Sequence, residues 1–289
     1  MSEIEAIDPW VNLSMLGGQP PPDWLVRVKE DYFKGGEDFM RELSPEELIA
    51  QMDAAGVEKA ILSIQVEAPQ SNVLDCVKLY PDRLFLAAGC DPTRHMKSCW
   101  ALEDLVAEYP VVMARVVPFI YDLPPHHRDY YPLYAKCCDL DLPISINTGI
   151  PGPPKPGECQ HPMHLDRVCY DFPRLRVSMA HGADPWWDVA IRLMLKYKGL
   201  HLMTSAYLPR YFPDELIHFM NTRGQDKIIY ASDHPVLSME RCLSSARELD
   251  LREGVLDKFL RHNAENLFFS ARSPRVTQSE SLNEASLPG

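Results

Sequence analysis

From Ser44 onward the chain alternates between two hydrophobic periodicities with little interruption. Stretches with an apolar stripe at helical spacing are followed repeatedly by short apolar runs of strand type. SPEELIAQMDAAGV opens with a capping box, Ser44 to Glu47, and places Leu48, Met52 and Ala55 on one face. KAILSI, Lys59 to Ile64, follows as a buried strand. The pattern recurs as VLDCVKLYPDRL before FLAAGCDP, SCWALEDLVAEYP before VVMARVVPF, and YYPLYAKCCDLDLP before ISINTG. MHLDRVCYDFPRL before RVSMAHG, DVAIRLMLKYKG before LHLMTSAY, and PDELIHFMNTRGQDK before IIYASDHP complete it. Counting AIDPWVNL, Ala6 to Leu13, as the opening strand, eight short strands are separated by helices.

Such alternation implies parallel pairing with right-handed crossovers. Eight units in a chain of 289 residues match a (β/α)8 barrel, whose usual length is about 250 residues. An open doubly wound sheet is the competing architecture. No G-x-G-x-x-G follows the first strand, which argues against a dinucleotide site. The barrel is expected to occupy residues 1–269, with 14–43, rich in Gly, Pro and aromatics, as a long loop over its mouth. The tail 270–289 has almost no apolar content and is expected to be disordered.

Charge and cysteine usage narrow the function classes. The net charge is −12 without a clustered Lys/Arg run, which disfavours nucleic acid and anionic membranes as partners. No run of 18 apolar residues is present, and MSEIEAIDPW lacks the pattern of a secretory signal, so a cytoplasmic enzyme is expected. The eight cysteines include no C-x-x-C, and Cys76, Cys99, Cys137, Cys138, Cys169 and Cys242 fall in helix-like segments. Buried free thiols are expected rather than disulfides or a zinc site. Cys159, His161 and His164 lie in a Pro-rich stretch without further nearby ligand types, so a surface loop is expected there.

In a barrel of this kind the C-terminal strand ends carry the chemistry. Those ends supply Trp10 and Asn12, Gln65 and Glu67, Asp91, Arg115, Asn147, His181, Ser205, and Asp233 with His234. Arg115, Asn147, His181 and Asp233 come nearest to a catalytic set. Each alone reads equally as a hydrogen-bonded loop residue; together on one face they point to a polar binding site.

Three segments resemble a known family. VSMAHGADPWWD resembles the sixth-strand motif, and IIYASDHPV the eighth-strand motif, of the amidohydrolase-related family, in the branch containing aminocarboxymuconate-semialdehyde decarboxylase and several hydroxybenzoate decarboxylases. LRHNAENLF resembles the family's closing helix, and HPMHLDRVCYDFPRLRVSMAHG its fifth-helix-to-sixth-strand pattern; the resemblance runs from Ser44 to Phe269. It implies a TIM barrel of the metal-dependent-hydrolase type. In the family, two His of an Asp-x-His-x-His first strand, a fifth-strand His and the eighth-strand Asp bind metal, and the sixth-strand His orients or activates water or substrate. The resemblance assigns the last two roles to Asp233 and His181. It departs at three positions: Trp10 and Asn12 stand in place of the His pair, and Asn147 in place of the fifth-strand His.

One carboxylate, one His and two amides make a poor transition-metal site. No cofactor is therefore expected, although a weakly bound hard cation on Asp233 and His181 stays conceivable. Without a metal, His181 with Asp233 is the expected acid–base pair, the imidazole acting as general base or held protonated against an anion. Trp10, Asn12, Arg115, Asn147, Tyr207 and His234 are the expected substrate contacts, with Arg115 and Asn147 suited to a carboxylate or oxyanion. The family includes metal-dependent hydrolases and decarboxylases, and a 2-pyrone dicarboxylate lactonase that needs no metal. Metal-independent hydrolysis of a small carboxylated or aromatic ester, lactone or activated C–C bond is the leading expectation. A nonoxidative decarboxylase, and an inactive barrel acting as a binding partner, are the alternatives. Relatives often form homodimers; Trp186 and Trp187 belong either to such an interface or against the barrel's outer helices.

Overall fold

The computed structural model of the chain describes residues 4–14 and 20–270, without the side chains of Glu37 and Asp38. The expected disordered tail, apart from Ser270, lies outside the described residues. Eight strands form one sheet in chain order: β1 Ala6–Val11, β2 Val57–Gln65, β3 Leu84–Gly89, β4 Val111–Val116, β5 Ile144–Asn147, β6 Val177–Ala180, β7 Leu200–Met203 and β8 Ile228–Ile229. Every neighbouring pair is parallel, and helices fill the crossovers. The sheet curls so that its first and last strands approach.

The last seam differs from the others. Among the described residues β8 and β1 share no ladder; an isolated parallel bridge joins Val11 to His234. Side chains and backbone complete the join. Asp8, fully buried, accepts hydrogen bonds from the Ser232 N–H at 3.1 Å and the Ser232 hydroxyl at 2.5 Å. The Asn12 N–H donates to the His234 carbonyl oxygen at 2.8 Å. Burial pushes the Asp8 carboxyl up to about 6, against the hydrogen bonds from Ser232. The first strand therefore spends a buried acid on fixing the chain just before Asp233.

The strand alternation separates two apolar regions. One face packs on the helices, as the capping box and the buried Leu48, Met52 and Ala55 of the helix Pro45–Ala55 illustrate. The Ser44 hydroxyl accepts from the Glu47 N–H at 3.1 Å, and Glu47 accepts from the Ser44 N–H at 2.8 Å. The other face fills the interior with Ile7, Ile61, Ala87, Met113, Met203 and Ile229, and Leu267 and Phe268 of the last helical turn pack beneath them. One inward position further along, at the period of two, the interior becomes polar: Met113 gives way to Arg115, Ile61 to Ser63, and Ser145 to Asn147. That change of composition makes the floor of a cavity.

Two expectations change. The segment over the mouth is more than a loop: it holds the helix Asp23–Arg27 and helical turns at Val28–Phe33 and Glu37–Met40. For Trp187, left open between an interface and burial, the buried alternative holds. It is buried with its ring edge-on to Tyr207 at 5.4 Å, while Trp186, half-buried, lies 4.4 Å from the His161 ring. All eight cysteines are free, and only Cys138 is less than fully buried. Where a surface loop was expected, Cys159 and Gln160 are buried, because Gln160 donates to the Gly149 carbonyl oxygen at 2.8 Å and draws the Pro-rich stretch inward.

Candidate active site

A cavity of about 250 Å³ opens at the C-terminal strand ends. Trp10, Asn12, Arg115, Asn147, His181 and Asp233 form its polar side. Trp24, Val28, Tyr32 and Phe33 from the mouth segment, with Tyr207 after β7, form the apolar side. A ligand of modest size would thus meet fixed polar groups below and aromatic surface above, the usual composition of a small-molecule site.

His181 and Asp233 follow β6 and the β8 region, and each holds φ near +65°, as does Ala206 after β7. Non-glycine residues adopt this left-handed conformation at a cost, which here turns three successive strand ends into the cavity. His181 is fixed by Ser205. Its N–H donates to the Ser205 hydroxyl at 3.0 Å, and its Nδ1 lies 3.0 Å from that hydroxyl and 3.4 Å from the Ser205 carbonyl oxygen. Trp10 packs edge-on to the imidazole, ring centroids 4.6 Å apart. Asp233 accepts a hydrogen bond from the Asn12 amide at 3.3 Å. Among the described residues no hydrogen bond joins His181 to Asp233, so the two face the cavity from separate positions rather than as a bonded dyad.

The Arg115 guanidinium stacks on Trp10, Cζ 3.7 Å from the ring centroid, and donates to the Ser63 hydroxyl. Among the described residues no carboxylate reaches ion-pair distance of it. Burial lowers its pKa to about 10, against the attraction of Asp233, so it stays cationic at neutral pH. Burial also pushes His181 down to about 3, and the Arg115 cation acts in the same direction. Burial pushes Asp233 up to about 8, despite Arg115. At neutral pH the set is a cation, a neutral imidazole and a protonated acid. In the ligand-free site this favours the first of the two roles expected for His181, the general base, over an imidazolium held against an anion.

The remaining sequence expectations divide. Asn147 lines the cavity, and its Oδ1, in a side chain only 3% exposed, has no hydrogen-bond partner among the described residues. Tyr207 lines it too, with burial holding its phenol protonated. His234 does not. Its carbonyl oxygen serves the seam, and the residue borders a second cavity of about 510 Å³ beside Phe39 and Ala54. Gln65 and Glu67 are exposed, Glu67 paired with Arg94 at 2.9 Å, and Asp91 accepts from Thr93 in a local turn. Ser63 and Gln160 were missed. Ser63 sits in the inward period of β2 two places past Ile61, a usable signal; nothing local marks Gln160.

Among the described residues no three His, Cys, Asp or Glu side chains converge where they could hold an ion. The mouth offers one imidazole, one protonated carboxyl and amides beside a guanidinium, which does not fit a transition metal.

A sequence model of the family described as Amidohydrolase matches residues 7–269. The chain belongs to the amidohydrolase family. Among solved structures it is similar to an uncharacterised TIM-barrel protein from Bordetella bronchiseptica, with 21% identity, TM-score 0.76, and 91% of this chain and 98% of that one covered. It is similar in fold to 2,6-dihydroxybenzoate decarboxylase from Rhizobium, with 16% identity, TM-score 0.67, and 92% and 99% covered. The 5-carboxyvanillate decarboxylase from Novosphingobium aromaticivorans, complexed with manganese and 4-hydroxy-3-methoxy-5-nitrobenzoic acid, gives 17% identity, TM-score 0.67, and 92% and 96% covered. No curated protein sequence matches the chain significantly.

Proposed function

We propose that this barrel enzyme hydrolyses a small, flat, carboxylated ester, lactone or activated C–C bond without a transition metal. The observation that carries the reading is the convergence of Arg115, Asn147, His181 and Asp233 on one cavity. With Nδ1 donating to the Ser205 carbonyl oxygen, the neutral His181 keeps Nε2 as an acceptor and takes a proton from the attacking water. Asp233, raised to about 8, enters the reaction protonated and gives its proton to the leaving oxygen or carbon. Arg115 binds the carboxylate, the Asn147 Oδ1 accepts from a hydroxyl or amide of the substrate, and Trp10 and Tyr207 hold its flat faces.

A second reading, nonoxidative decarboxylation, is favoured by the same protonated Asp233, because carbon protonation must replace the lost carboxylate. The likeness in fold to two decarboxylases points the same way. A screen of aryl esters, pyrone lactones and hydroxybenzoates in the presence of chelator tests both. Chelator-resistant turnover should fall by about 10²–10⁴ in His181→Ala and Asp233→Asn. Turnover unchanged in His181→Ala would refute its role as base, and loss of CO₂ rather than hydrolysis selects the second reading. Ligand binding without turnover would mark an inactive barrel.

A further inference from the structure

The family relative with bound manganese carries its positive charge on an ion; in this chain the mouth carries a guanidinium instead. Arg115 enters the site from β4, where the inward period changes from Met113 to a cation. Its planar face lies on Trp10, the residue standing at the first-strand position where a ligand His was expected. This stacking satisfies the face of the cation but leaves most of its N–H edge to the cavity. Ser63 takes one donor, and among the described residues no carboxylate neutralises the charge. A half-buried cation without a carboxylate is costly unless a ligand supplies the opposite charge. Asp233, the one carboxyl among the described residues that line the cavity, is tied instead to Asn12.

We propose that the Arg115 guanidinium, clamped on Trp10, is the site's resident cation: it receives the carboxylate or developing oxyanion of the substrate in the role a divalent metal would otherwise play, and its charge keeps such a metal out. The inference rests on reading the site as one for small carboxylates, yet its test needs no turnover. Arg115 is then a catalytic residue that touches substrate, and Trp10 is its positioning residue. A planar guanidinium holds a carboxylate through two parallel N–H bonds, a geometry that an ammonium cannot copy.

The experiment is a calorimetric titration of the full chain, in chelator, with benzoate and its neutral counterpart benzamide. Benzoate should bind about tenfold or more tightly than benzamide, the worth of a charge-assisted hydrogen bond. Arg115→Met should erase that preference, and Arg115→Lys should retain part of it. In a parallel titration without chelator, manganese added to the wild-type chain should leave benzoate affinity unchanged. In Arg115→Met the His181 imidazole, followed by NMR, should titrate at higher pH, because a neighbouring cation has gone. Arg115→Gln serves the same comparison if Arg115→Met fails to fold. Equal benzoate binding in the variants, binding strengthened by manganese, an unmoved His181 titration, or no binding of either probe would overturn the inference. Loss of the proposed hydrolysis with this binding pattern intact would sink the reaction alone.

Discussion

The protonated state of Asp233 makes a stability prediction that can be checked without a substrate. Its carboxyl is raised from the ordinary 3.8 to about 8 by burial. In the unfolded chain the group is ionised above 3.8, whereas the folded chain keeps its proton until about 8. The folded state therefore binds more protons in that window, and stability falls as pH rises through it. Below 6.5 other buried groups intervene: His181 and His201, lowered to about 3 and about 4, act with the opposite sign, and Asp8, raised to about 6, acts with the same sign. From pH 6.5 to 8 the histidines of the unfolded chain still release protons and offset part of the slope, so the Asp233 contribution is read as the difference between the wild type and Asp233→Asn. Its own slope is about 1.4 kcal/mol per pH unit, tapering as Asp233 ionises, and amounts to about 1.5 kcal/mol over the window. With a urea m-value of about 3 kcal/mol/M, the wild-type unfolding midpoint should fall by about 0.5 M relative to that of Asp233→Asn. Asp233→Asn keeps the shape and the acceptor for Asn12 but cannot ionise, so its profile carries the histidine contribution without the Asp233 one. Parallel profiles of the two chains over this range would refute the reasoning.

Three further outcomes are expected. Asp8→Ala should destabilise the chain by about 3 kcal/mol in urea titrations, because it strands the buried Ser232 N–H and hydroxyl at the seam; a cost below about 1 kcal/mol would show that the seam holds without it. Elemental analysis of chain purified without chelator should find well under one equivalent of zinc, manganese or iron, and a near-stoichiometric metal retained through dialysis would redirect attention to metal-assisted decarboxylation. In a thiol-reagent titration of the native chain, Cys138 should react first and the seven buried thiols only on unfolding, which rapid labelling of several sites would contradict.

Much of the architecture was legible in the sequence because strand and helix periodicity are local records of which side of each residue meets apolar surface. The eight alternations, the capping box at Ser44 and the polar strand ends each follow from residues within one turn or one strand. Arg115, Asn147, His181 and Asp233 were legible for the same reason, since a polar residue closing an apolar strand marks the end at which the interior opens. The tertiary structure decided what those residues can do. The proton inventory of His181 and Asp233 depends on burial and on a cation far away in sequence, and neither is written in the neighbouring residues. The stacking of Arg115 on Trp10 joins β4 to β1, and the Asp8 bonds join β1 to Ser232. His234, adjacent to Asp233, borders another cavity because the chain turns at Asp233, whose φ is +65°. Periodicity fixes which face a residue takes within its own element; charge state and partnership arise only when distant elements are brought within a few ångströms and water is removed between them.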